Sequence, residues 1–421
     1  MVEARPRLHA PEEARRAPAG FVGRLAKRAL VKVLAGIREG RLTVGETGAF
    51  GPGGGLEGQV EVHDERLWKR ALFGGDVGLG EAYVDGMWSS PDLVSVIRVA
   101  IRNMDVFDAA GGVFARIAAF FNRKRHSARD NSIEGSRRNI ADHYDLGNEF
   151  YRLFLDDSLS YSCAFYEKPD EPLGRAQVAK YERICRKLRL GPEVRLLEIG
   201  TGWGGFAAHA ALKYGCRITT TTISRKQYEF SRELFARLGL GDRVTLLCED
   251  YRKLSGCFDK AVSIEMFEAV GLEHYDDYFG ALQRLLGPRG VALIQTITMN
   301  ERRFEAYRRR PDFIQKHVFP GAELASVSEI QKSLGRVTTM SLVHLEDIGI
   351  HYARTLREWR ERFLERLDQV RALGFDERFI RKWEYYLAYC EAGFAERYIG
   401  DAQMLLTKVS NEGGVGEEPW A

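Results

Sequence analysis

Short apolar runs alternate with amphipathic segments along the second half of the chain. The runs are rich in Val, Ile, Leu and Thr and lack a polar face, which is typical of strands that are buried on both sides. Between them, apolar residues recur at the spacing of a helix. Strands that alternate with helices predict an α/β fold, in which a mostly parallel sheet is covered by helices on both faces. The predicted strands are Arg195–Ile199, Arg217–Ile223, Val244–Cys248, Lys260–Ile264 and Val291–Ile297.

Residues 1–120 show a different pattern, which predicts a smaller N-terminal α/β domain associated with lipid or membrane. Gly40 to Glu65 is glycine-rich with short alternating runs, as in strands and hairpins, and Arg66 to Ile101 contains two helical patterns. Before them, FVGRLAKRALVKVLAGIR predicts a basic amphipathic helix, which either lies on anionic lipid or packs on its own domain. The apolar positions of that helix are Phe21, Leu25, Ala29, Val33 and Ile37.

A basic connector over 121–138 joins this domain to a second one, expected over 139–421. The connector includes Asn122-Arg-Lys-Arg-His-Ser-Ala-Arg129, which predicts either a solvated linker or a site for lipid phosphates. Within the second domain, 300–343 is rich in arginine and aromatic residues and predicts a lid insertion. The segment from Ile350 to Lys408 shows long helical patterns, which we expect to close the domain.

One stretch gives the first indication of chemistry. In Arg195-Leu-Leu-Glu198-Ile-Gly200-Thr-Gly202-Trp-Gly204-Gly205 an apolar run ends in glycines spaced by two. Glycines at a strand-to-helix turn permit a sharp bend and let a ligand approach the backbone. A dinucleotide site expects an acidic residue about twenty positions after its glycines, whereas Glu198 precedes them. This order resembles the S-adenosylmethionine loop of class I methyltransferases, with a purely structural turn as the alternative.

Composition narrows the setting. Hydrophobic residues at 45%, charged residues at 29% and a formal net charge of +3 are normal for a soluble protein and do not indicate nucleic acid binding. Six cysteines without a C-x-x-C pair predict neither a metal site nor disulfides, so we expect a cytoplasmic protein. The sequence has no apolar run of the roughly 18 residues that a spanning helix needs. Any membrane contact is therefore expected to be peripheral, at the inner face.

Six motifs carry a specific resemblance. The motifs are His143-Tyr-Asp-Leu-Gly-Asn148, Tyr161-Ser-Cys-Ala164, Leu196-Leu-Glu-Ile-Gly-Thr-Gly-Trp-Gly-Gly205, Ser263-Ile-Glu-Met-Phe-Glu-Ala-Val-Gly271, Phe319-Pro-Gly321 and Tyr389-Cys-Glu-Ala-Gly-Phe394. In this order, and with matches from about residue 66 to the C-terminus, the chain resembles the cyclopropane fatty acid synthase family. The resemblance implies a Rossmann-like, class I methyltransferase domain.

The resemblance also implies a reaction. Family members transfer the methyl group of S-adenosylmethionine to the cis double bond of an unsaturated acyl chain, usually on a membrane phospholipid. Loss of a proton from the new methyl group closes a cyclopropane ring, which we expect here, whereas loss of a different proton gives a methylene branch as the alternative. The family's cofactor pattern falls on Tyr161, Ser162, Gly200, Gly202, Gly204, Thr222, Ser224, Gln227, Asp250 and Tyr251.

Aromatic residues and one cysteine are expected to line the reacting centre. Aromatic faces stabilise a nearby cation by about one or two kcal/mol in a dry site. The aromatic set is Phe150, Tyr151, Phe154, Tyr161, Phe165, Tyr166, Phe319 and Tyr352. Only Tyr161 and Tyr352 match family motif positions, so the others are equally well explained as core. Cys390 matches a cysteine that is treated as an active-site residue in the family.

The predicted base departs from the family pattern. In better-known members a bicarbonate ion is the base, held by a glycine position, a histidine position and positions that match Cys163, Glu268, Ile297 and Tyr352. This chain has Glu265 at the glycine position and Gln295 at the histidine position. A carboxylate beside bicarbonate repels it, and loss of histidine removes a positive partner. We predict that Glu265 is itself the base, oriented by Gln295; alternatively, Glu265 points away and bicarbonate still binds.

The sequence argues against two other functions. A methyltransferase for cytosine carbon needs a Pro-Cys pair, and one for base amines needs an Asn/Asp-Pro-Pro-aromatic loop, where this chain has Ser263-Ile-Glu-Met-Phe-Glu268. We therefore expect no nucleic acid partner. A non-catalytic lipid-binding protein would not need the glycines, Asp250 or Glu268. The expected partners are unsaturated phospholipid acyl chains, an anionic membrane surface and a second copy of the chain in a homodimer.

Overall fold

The computed structural model describes residues 20–109 and 146–409. They form two compact units, of which the first contains 20–109, Pro311–Val318 and Leu356–Tyr398, and the second contains 146–310, Phe319–Thr355 and 399–409. This division differs from the predicted one, because two segments of the first unit come from the region that we assigned to the second domain. The predicted connector at 121–138 and the first three residues of the motif that begins at His143 lie outside the described residues.

The first unit is built on a four-stranded sheet with the order β2-β1-β3-β4. Its strands are β1 (Gly40–Val44), β2 (Gly48–Gly53), β3 (Glu57–Val62) and β4 (Trp88–Ser89). Helices α1 (Phe21–Leu34), α2 (Arg66–Val84) and α3 (Leu93–Arg102) come from the same part of the chain. The strands, the hairpin and the two helical patterns predicted between residues 40 and 101 are thus present.

Helix α1 packs through a different face from the predicted apolar stripe. Its buried residues are Gly23, Ala26 and Leu34. By contrast, Phe21 and Leu25, the first two members of the predicted stripe, are 70% and 49% exposed. The helix therefore packs on its own unit along one side and keeps apolar side chains exposed near its N-terminus.

The second unit is built on a seven-stranded sheet with the order β10-β11-β9-β8-β5-β6-β7. Its strands are β5 (Arg195–Ile199), β6 (Arg217–Thr221), β7 (Val244–Leu247), β8 (Phe258–Ile264), β9 (Leu286–Met299), β10 (Met340–Asp347) and β11 (Ile399–Lys408). Strands β5 to β9 pair in parallel, whereas β11 is antiparallel to both of its neighbours. A mostly parallel sheet of this kind confirms the predicted α/β class.

Further helices lie between Asn148 and Ala395. They are α4 (Asn148–Arg152), α5 (Leu173–Lys187), α6 (Gly205–Tyr214), α7 (Arg225–Arg237), α8 (Tyr275–Leu285), α9 (Glu301–Arg309), α10 (Phe313–His317), α11 (Val327–Val337), α12 (Gly349–Glu365), α13 (Leu367–Ala372) and α14 (Glu377–Ala395). Within the described residues, no helix combines the length and the apolar character needed to cross a bilayer.

Both faces of the seven-stranded sheet are buried. Leu196 belongs to one apolar cluster and its neighbour Leu197 to the other, and Leu405 and Leu406 on β11 divide in the same way. Successive side chains of a strand point to opposite faces, so each strand contributes to two cores. This explains why the strands appear in the sequence as continuous apolar runs.

The sequence prediction was incomplete at the C-terminal end of the chain. The five predicted strands are present, but β10 and β11 were not predicted. The expectation of helix up to Lys408 is wrong for Ile399–Lys408, which forms β11 beside β9. The segment 300–343, predicted as a lid, contains α9, α10 and α11 and the start of β10.

Candidate active site

The glycine turn follows β5 directly and has the backbone that its sequence requires. Gly200, Gly202 and Gly204 have φ values of 102°, 54° and 86°, a region that other residues rarely adopt. A Cβ on Gly204 would lie 2.9 Å from the Phe235 ring, whereas nothing lies within 4 Å of the place where a Cβ on Gly202 would be. The turn is thus tightly packed at Gly204, whereas there is open space next to Gly202.

The ends of the neighbouring strands meet beside this turn. The Gly200 N–H donates to the Thr221 carbonyl at 3.0 Å, and the Thr222 N–H donates to the Leu247 carbonyl at 3.1 Å. Thr222 Oγ1 donates to Gln227 Oε1 at 2.9 Å. Ser224 caps helix α7, since its side chain accepts the Gln227 N–H. The predicted cofactor residues on β5, β6 and the start of α7 are therefore close together.

Asp250 follows β7 at the same edge, but its carboxylate is engaged by the chain itself. Oδ1 accepts from the backbone N–H and Nε of Arg252 at 3.0 and 2.8 Å, and Oδ2 lies 2.7 Å from Arg252 Nη2. The carboxylate is only 2% exposed. The Tyr251 ring packs against Tyr278 with a centroid distance of 5.4 Å.

Part of the predicted aromatic set forms a cluster beside the glycine turn. The Tyr161 ring lies 5.4 Å from Tyr151 and 6.3 Å from Phe319, and Tyr151 lies 5.0 Å from Trp203 inside the turn. Phe150 and Phe154 extend the cluster.

Two residues of the predicted aromatic set pack against His351 instead. Phe165 and Tyr166 pack against His351, at centroid distances of 4.4 and 6.3 Å. Next to Tyr161, Ser162 Oγ accepts from the buried Lys180 ammonium at 2.6 Å.

Glu265, directly after β8, is held by three donors. Its Oε1 accepts from the Cys163 backbone N–H at 2.7 Å and from Gln295 Nε2 at 2.8 Å, and its Oε2 accepts from the Tyr352 hydroxyl at 2.6 Å. The structure thus brings four predicted catalytic residues together. Three of the positions that the resemblance assigned to a bicarbonate cage donate to the Glu265 carboxylate.

The backbone at Glu265 is strained. Its φ is 47°, in the left-handed region, which costs a residue other than glycine on the order of 1 kcal/mol or more. The Glu265 N–H donates to the Gln295 carbonyl at 2.8 Å and helps to hold this conformation. The chain therefore keeps a glycine-like backbone at the position where the family resemblance expects glycine. Such strain is found preferentially at functional sites.

Glu268 is a second, half-buried carboxylate on the same loop. Its Oε1 accepts from the Ile297 N–H at 2.5 Å and from Thr296 Oγ1 at 3.0 Å. Its Oε2 is buried without a hydrogen-bond partner among the described residues. Burial, and secondarily the Glu265 carboxylate, raise the pKa of Glu268 to about 8.

A third carboxylate, Asp401 on β11, completes the acidic cluster. Its Oδ2 accepts from Gln295 Nε2 at 3.0 Å. Burial raises the pKa of Asp401 far above its usual value, and Glu265 and Glu268 add to the effect. Burial also raises the pKa of Glu265, but three hydrogen bonds and the Lys180 charge oppose it. Hydrogen-bond donors and the Lys180 charge favour the ionised form of Glu265, whereas the neighbouring carboxyls disfavour the ionised form of Asp401, so Asp401 has the stronger tendency of the two to keep its proton.

Comparison with known proteins identifies the family. The protein-family model described as mycolic acid cyclopropane synthetase matches residues 131–404, which is more than half of the chain. The chain belongs to this family. It is therefore an S-adenosylmethionine-dependent methyltransferase, as the sequence motifs predicted.

Full-length relatives agree with this membership. The chain is 40% identical over 342 residues to the tuberculostearic acid methyltransferase UfaA1 of Mycobacterium tuberculosis, covering 79% of each protein. It is 35% identical over 365 residues to the cyclopropane-fatty-acyl-phospholipid synthase of Escherichia coli K12, covering 84% of this chain and 89% of the relative.

A solved structure supports the fold. The mycolic acid cyclopropane synthase CmaA1 complexed with SAH and CTAB superposes with a TM-score of 0.61 at 31% identity, over 65% of this chain and 98% of that one. Coclaurine N-methyltransferase, at 21% identity and a TM-score of 0.55, shows the class I methyltransferase fold alone.

The residues around the glycine turn fit S-adenosylmethionine. The open space above Gly202 lets a ligand approach the backbone, and Tyr161 and the side chains of Thr222, Ser224 and Gln227 border the same edge of the sheet. The described residues include no group of His, Cys, Asp and Glu side chains that could hold a metal ion.

Cys390 belongs to a different unit from the other predicted catalytic residues. It is on α14 in the first unit, whereas the rest are in the second. Burial raises the pKa of the Cys390 thiol, as it does for Cys163, so neither is a thiolate at neutral pH.

Sequence reasoning missed several polar residues of the site. Lys180 is fully buried on α5, and Asp401 and Gln403 are fully buried on β11. The available signal was a polar residue within an otherwise apolar, buried pattern. For Asp401 and Gln403 it could be recognised only once β11 was known to be a strand.

Proposed function

We propose that this chain transfers the methyl group of S-adenosylmethionine to the cis double bond of an unsaturated acyl chain on a membrane phospholipid and forms a cyclopropane ring. The Escherichia coli relative, a cyclopropane-fatty-acyl-phospholipid synthase that matches over 84% of this chain, supports the substrate class. The observation that carries the proposal is the half-buried Glu265 carboxylate, which accepts hydrogen bonds from Cys163, Gln295 and Tyr352 at the sheet edge where the glycine turn also lies.

The cofactor supplies an electrophilic methyl group to this site. The glycine turn would hold the cofactor through its backbone, and Thr222, Ser224 and Gln227, which follow β6, would help to bind it. An alkene is a weak nucleophile, so the chain's main contribution is to hold the two reactants close and in line. The aromatic cluster around Tyr161 offers ring faces to the positive charge that develops on the substrate.

Glu265 acts as the base in this proposal. After methyl addition leaves a cationic carbon on the acyl chain, the electron pair of a methyl C–H bond closes the ring and the proton passes to Glu265. Oε1 already accepts two hydrogen bonds and Oε2 accepts one, so Oε2 is the freer acceptor. Bicarbonate is then not required, because the carboxylate takes the donors that would hold it.

A methylene-branched product is the second candidate, favoured by a specific likeness. The chain is 40% identical to a protein named tuberculostearic acid methyltransferase. Ring and branch share the addition of the methyl group, and in both Glu265 removes a proton from that methyl group. The ring closes when the methyl C–H electron pair attacks the neighbouring cationic carbon, whereas the branch first needs a 1,2-hydride shift that moves the cation to the methyl-bearing carbon, so that loss of the proton forms C=CH2. Whether proton removal or the hydride shift comes first therefore decides the product.

The exposed end of α1 supports a peripheral position at an anionic membrane surface. Phe21, Val22 and Leu25 are 70%, 48% and 49% exposed. Arg24 and Arg28 on the same helix are exposed beside them. Apolar side chains that insert among acyl chains, next to cations that meet lipid phosphates, are the two elements of interfacial helix binding.

Product analysis tests the proposal. The purified chain is incubated with S-adenosylmethionine and vesicles of an unsaturated phospholipid, and the extracted lipid is examined by proton NMR. We expect ring protons, which resonate far upfield. Vinylidene protons would establish the methylene branch instead, and unmodified lipid with intact cofactor binding would refute the proposed activity.

A further inference from the structure

A line of buried polar side chains leads from Glu265 across the sheet to Lys187. Gln295 Nε2 donates to Glu265 Oε1 at 2.8 Å, Gln403 Nε2 donates to Gln295 Oε1 at 3.0 Å, and Lys187 Nζ donates to Gln403 Oε1 at 2.7 Å. Gln295 and Gln403 are directly opposite each other on β9 and β11 and are fully buried, and Lys187, at the end of α5, is 2% exposed. We call these three residues the Lys187 relay.

The lysine fixes the direction of every hydrogen bond in the relay. An ammonium group can only donate, so Gln403 must turn its oxygen toward Lys187 and its NH2 group toward Gln295. Gln295 must then offer its oxygen to Gln403 and its NH2 group to Glu265. Reversing either amide would place oxygen against oxygen or nitrogen against nitrogen, which leaves buried groups unsatisfied.

Lys187 is itself held in place and charged. Its Nζ lies 2.6 Å from Glu346 Oε2, and Glu346 also pairs with Arg183. Burial lowers the pKa of Lys187, and the Glu346 carboxylate opposes this effect. The cation at this end and the carboxylate at the other end require the same orientation of the two amides.

We propose that Lys187 and Gln403 are positioning residues that keep the NH2 group of Gln295 turned toward Glu265 and thereby keep the Glu265 carboxylate ionised. The inference rests on the proposed role of Glu265 as the base, and adds the residues that keep its carboxylate ionised. Neither residue touches the reacting atoms.

The other groups around Glu265 do not replace this contribution. The titratable and donor groups that face Glu265 from the surrounding elements are Cys163, Lys180, Glu268, Tyr352 and Asp401. Of these, the two carboxyls disfavour its charge. Gln295 differs from all of them, because its amide stabilises a carboxylate through one end and destabilises it through the other. Its orientation therefore changes the sign of its effect.

Two variants break the relay at different points. Lys187→Met removes the cation, and Gln403→Glu keeps an acceptor for Lys187 but removes the donor toward Gln295. Lys187→Arg keeps a donor-only cation and serves as the conservative variant. Lys408→Met is the matched control, since Lys408 is also a buried lysine of the second unit, but donates to the carbonyls of Gln283 and Leu286 at 2.7 and 2.6 Å.

The direct readout is the titration of the Glu265 carboxyl in the resting enzyme. Infrared difference spectra against Glu265→Gln assign its band, and the pH dependence of kcat is measured in parallel. A lost hydrogen bond to a charged group raises the pKa of Glu265, so the acid limb should move upward by about one to two pH units in Lys187→Met and Gln403→Glu. Lys187→Arg and Lys408→Met should titrate within about 0.3 units of the native enzyme, since neither loses a donor toward Glu265.

Two outcomes overturn the relay. One is an unchanged Glu265 titration in both Lys187→Met and Gln403→Glu, each shown to be folded by stabilisation with S-adenosylmethionine. The other is an equal shift in Lys408→Met, which would mean that loss of any buried lysine has this effect. A separate result would show that Glu265 is not the base, namely sustained turnover in Glu265→Gln. The two failures can be told apart because the infrared titration of Glu265 requires no turnover.

Discussion

At the scale of single residues, the proposal is that a side chain takes the place of a bound anion. Glu265 has a φ of 47°, and its carboxylate takes donors from Cys163, Gln295 and Tyr352. A side chain at this position pays a conformational cost that glycine would not. The observed strain is explained if the carboxylate does the work that bicarbonate does in relatives with glycine at this position.

This explanation predicts that Glu265→Gly creates a dependence on bicarbonate. Glycine relieves the strained backbone and vacates the space next to the three donors, so the fold should be as stable as the native one or slightly more so. Turnover without bicarbonate should fall by about 10²-fold or more, the usual contribution of a general base. Added bicarbonate should restore part of it, and more in the double variant with Gln295→His, which supplies a positive partner. The measurement is the initial rate of methyl transfer at several bicarbonate concentrations.

Glu265→Gln is the control for this prediction. Its amide fills the space that glycine vacates, so bicarbonate should not rescue it. Native turnover by Glu265→Gly in the absence of bicarbonate would show that the carboxylate is not the base.

At the scale of helices and strands, α1 allows the clearest prediction. Replacing Phe21 and Leu25 by Ser should weaken binding to anionic vesicles by about tenfold or more, because each apolar side chain contributes on the order of 1.5 kcal/mol when buried. Both residues are exposed, so the melting temperature should hardly change. Vesicle co-sedimentation measures the binding, and higher ionic strength should weaken what remains.

Leu212→Ser provides the matched comparison. Leu212 is 59% exposed on α6 in the second unit, so its loss removes apolar surface without touching α1. If the α1 variant binds vesicles as well as Leu212→Ser does, then α1 is not the membrane contact.

The elements also show how far the sequence could predict the molecule. Strands β5 to β9 were predictable because each is an apolar run bounded by turn residues. Strand β11 was not, since Asp401 and Gln403 interrupt its apolar pattern and a long helical pattern precedes it. Short apolar segments do not by themselves distinguish helix from strand.

The candidate site, like the strands, was predictable only in part. Glu265 and Gln295 were expected to be neighbours because the family resemblance assigns both positions to one bicarbonate site, and Gln295 Nε2 lies 2.8 Å from Glu265 Oε1. Asp401 and Gln403 were not expected, because their place depends on the pairing of β11 with β9, a long-range register that no local pattern encodes.

At the scale of the whole molecule, the account depends on adjacency within one sheet. Strands β5 and β8 are paired in parallel, so the glycine turn after β5 and Glu265 after β8 emerge at the same edge. The methyl donor and the proposed base thus share one end of the second unit, as ligands of open α/β sheets do. The proposed phospholipid substrate must reach this edge, and the exposed end of α1 is the surface that we propose for lipid contact.

The central claim, that Glu265 replaces bicarbonate, is tested most directly by the native enzyme's own turnover. The rate of methyl transfer to vesicles is measured in buffer stripped of carbon dioxide and again with bicarbonate restored. The account predicts the same rate in both, because the base is part of the chain. A rate that falls away without bicarbonate and returns with it would contradict the account.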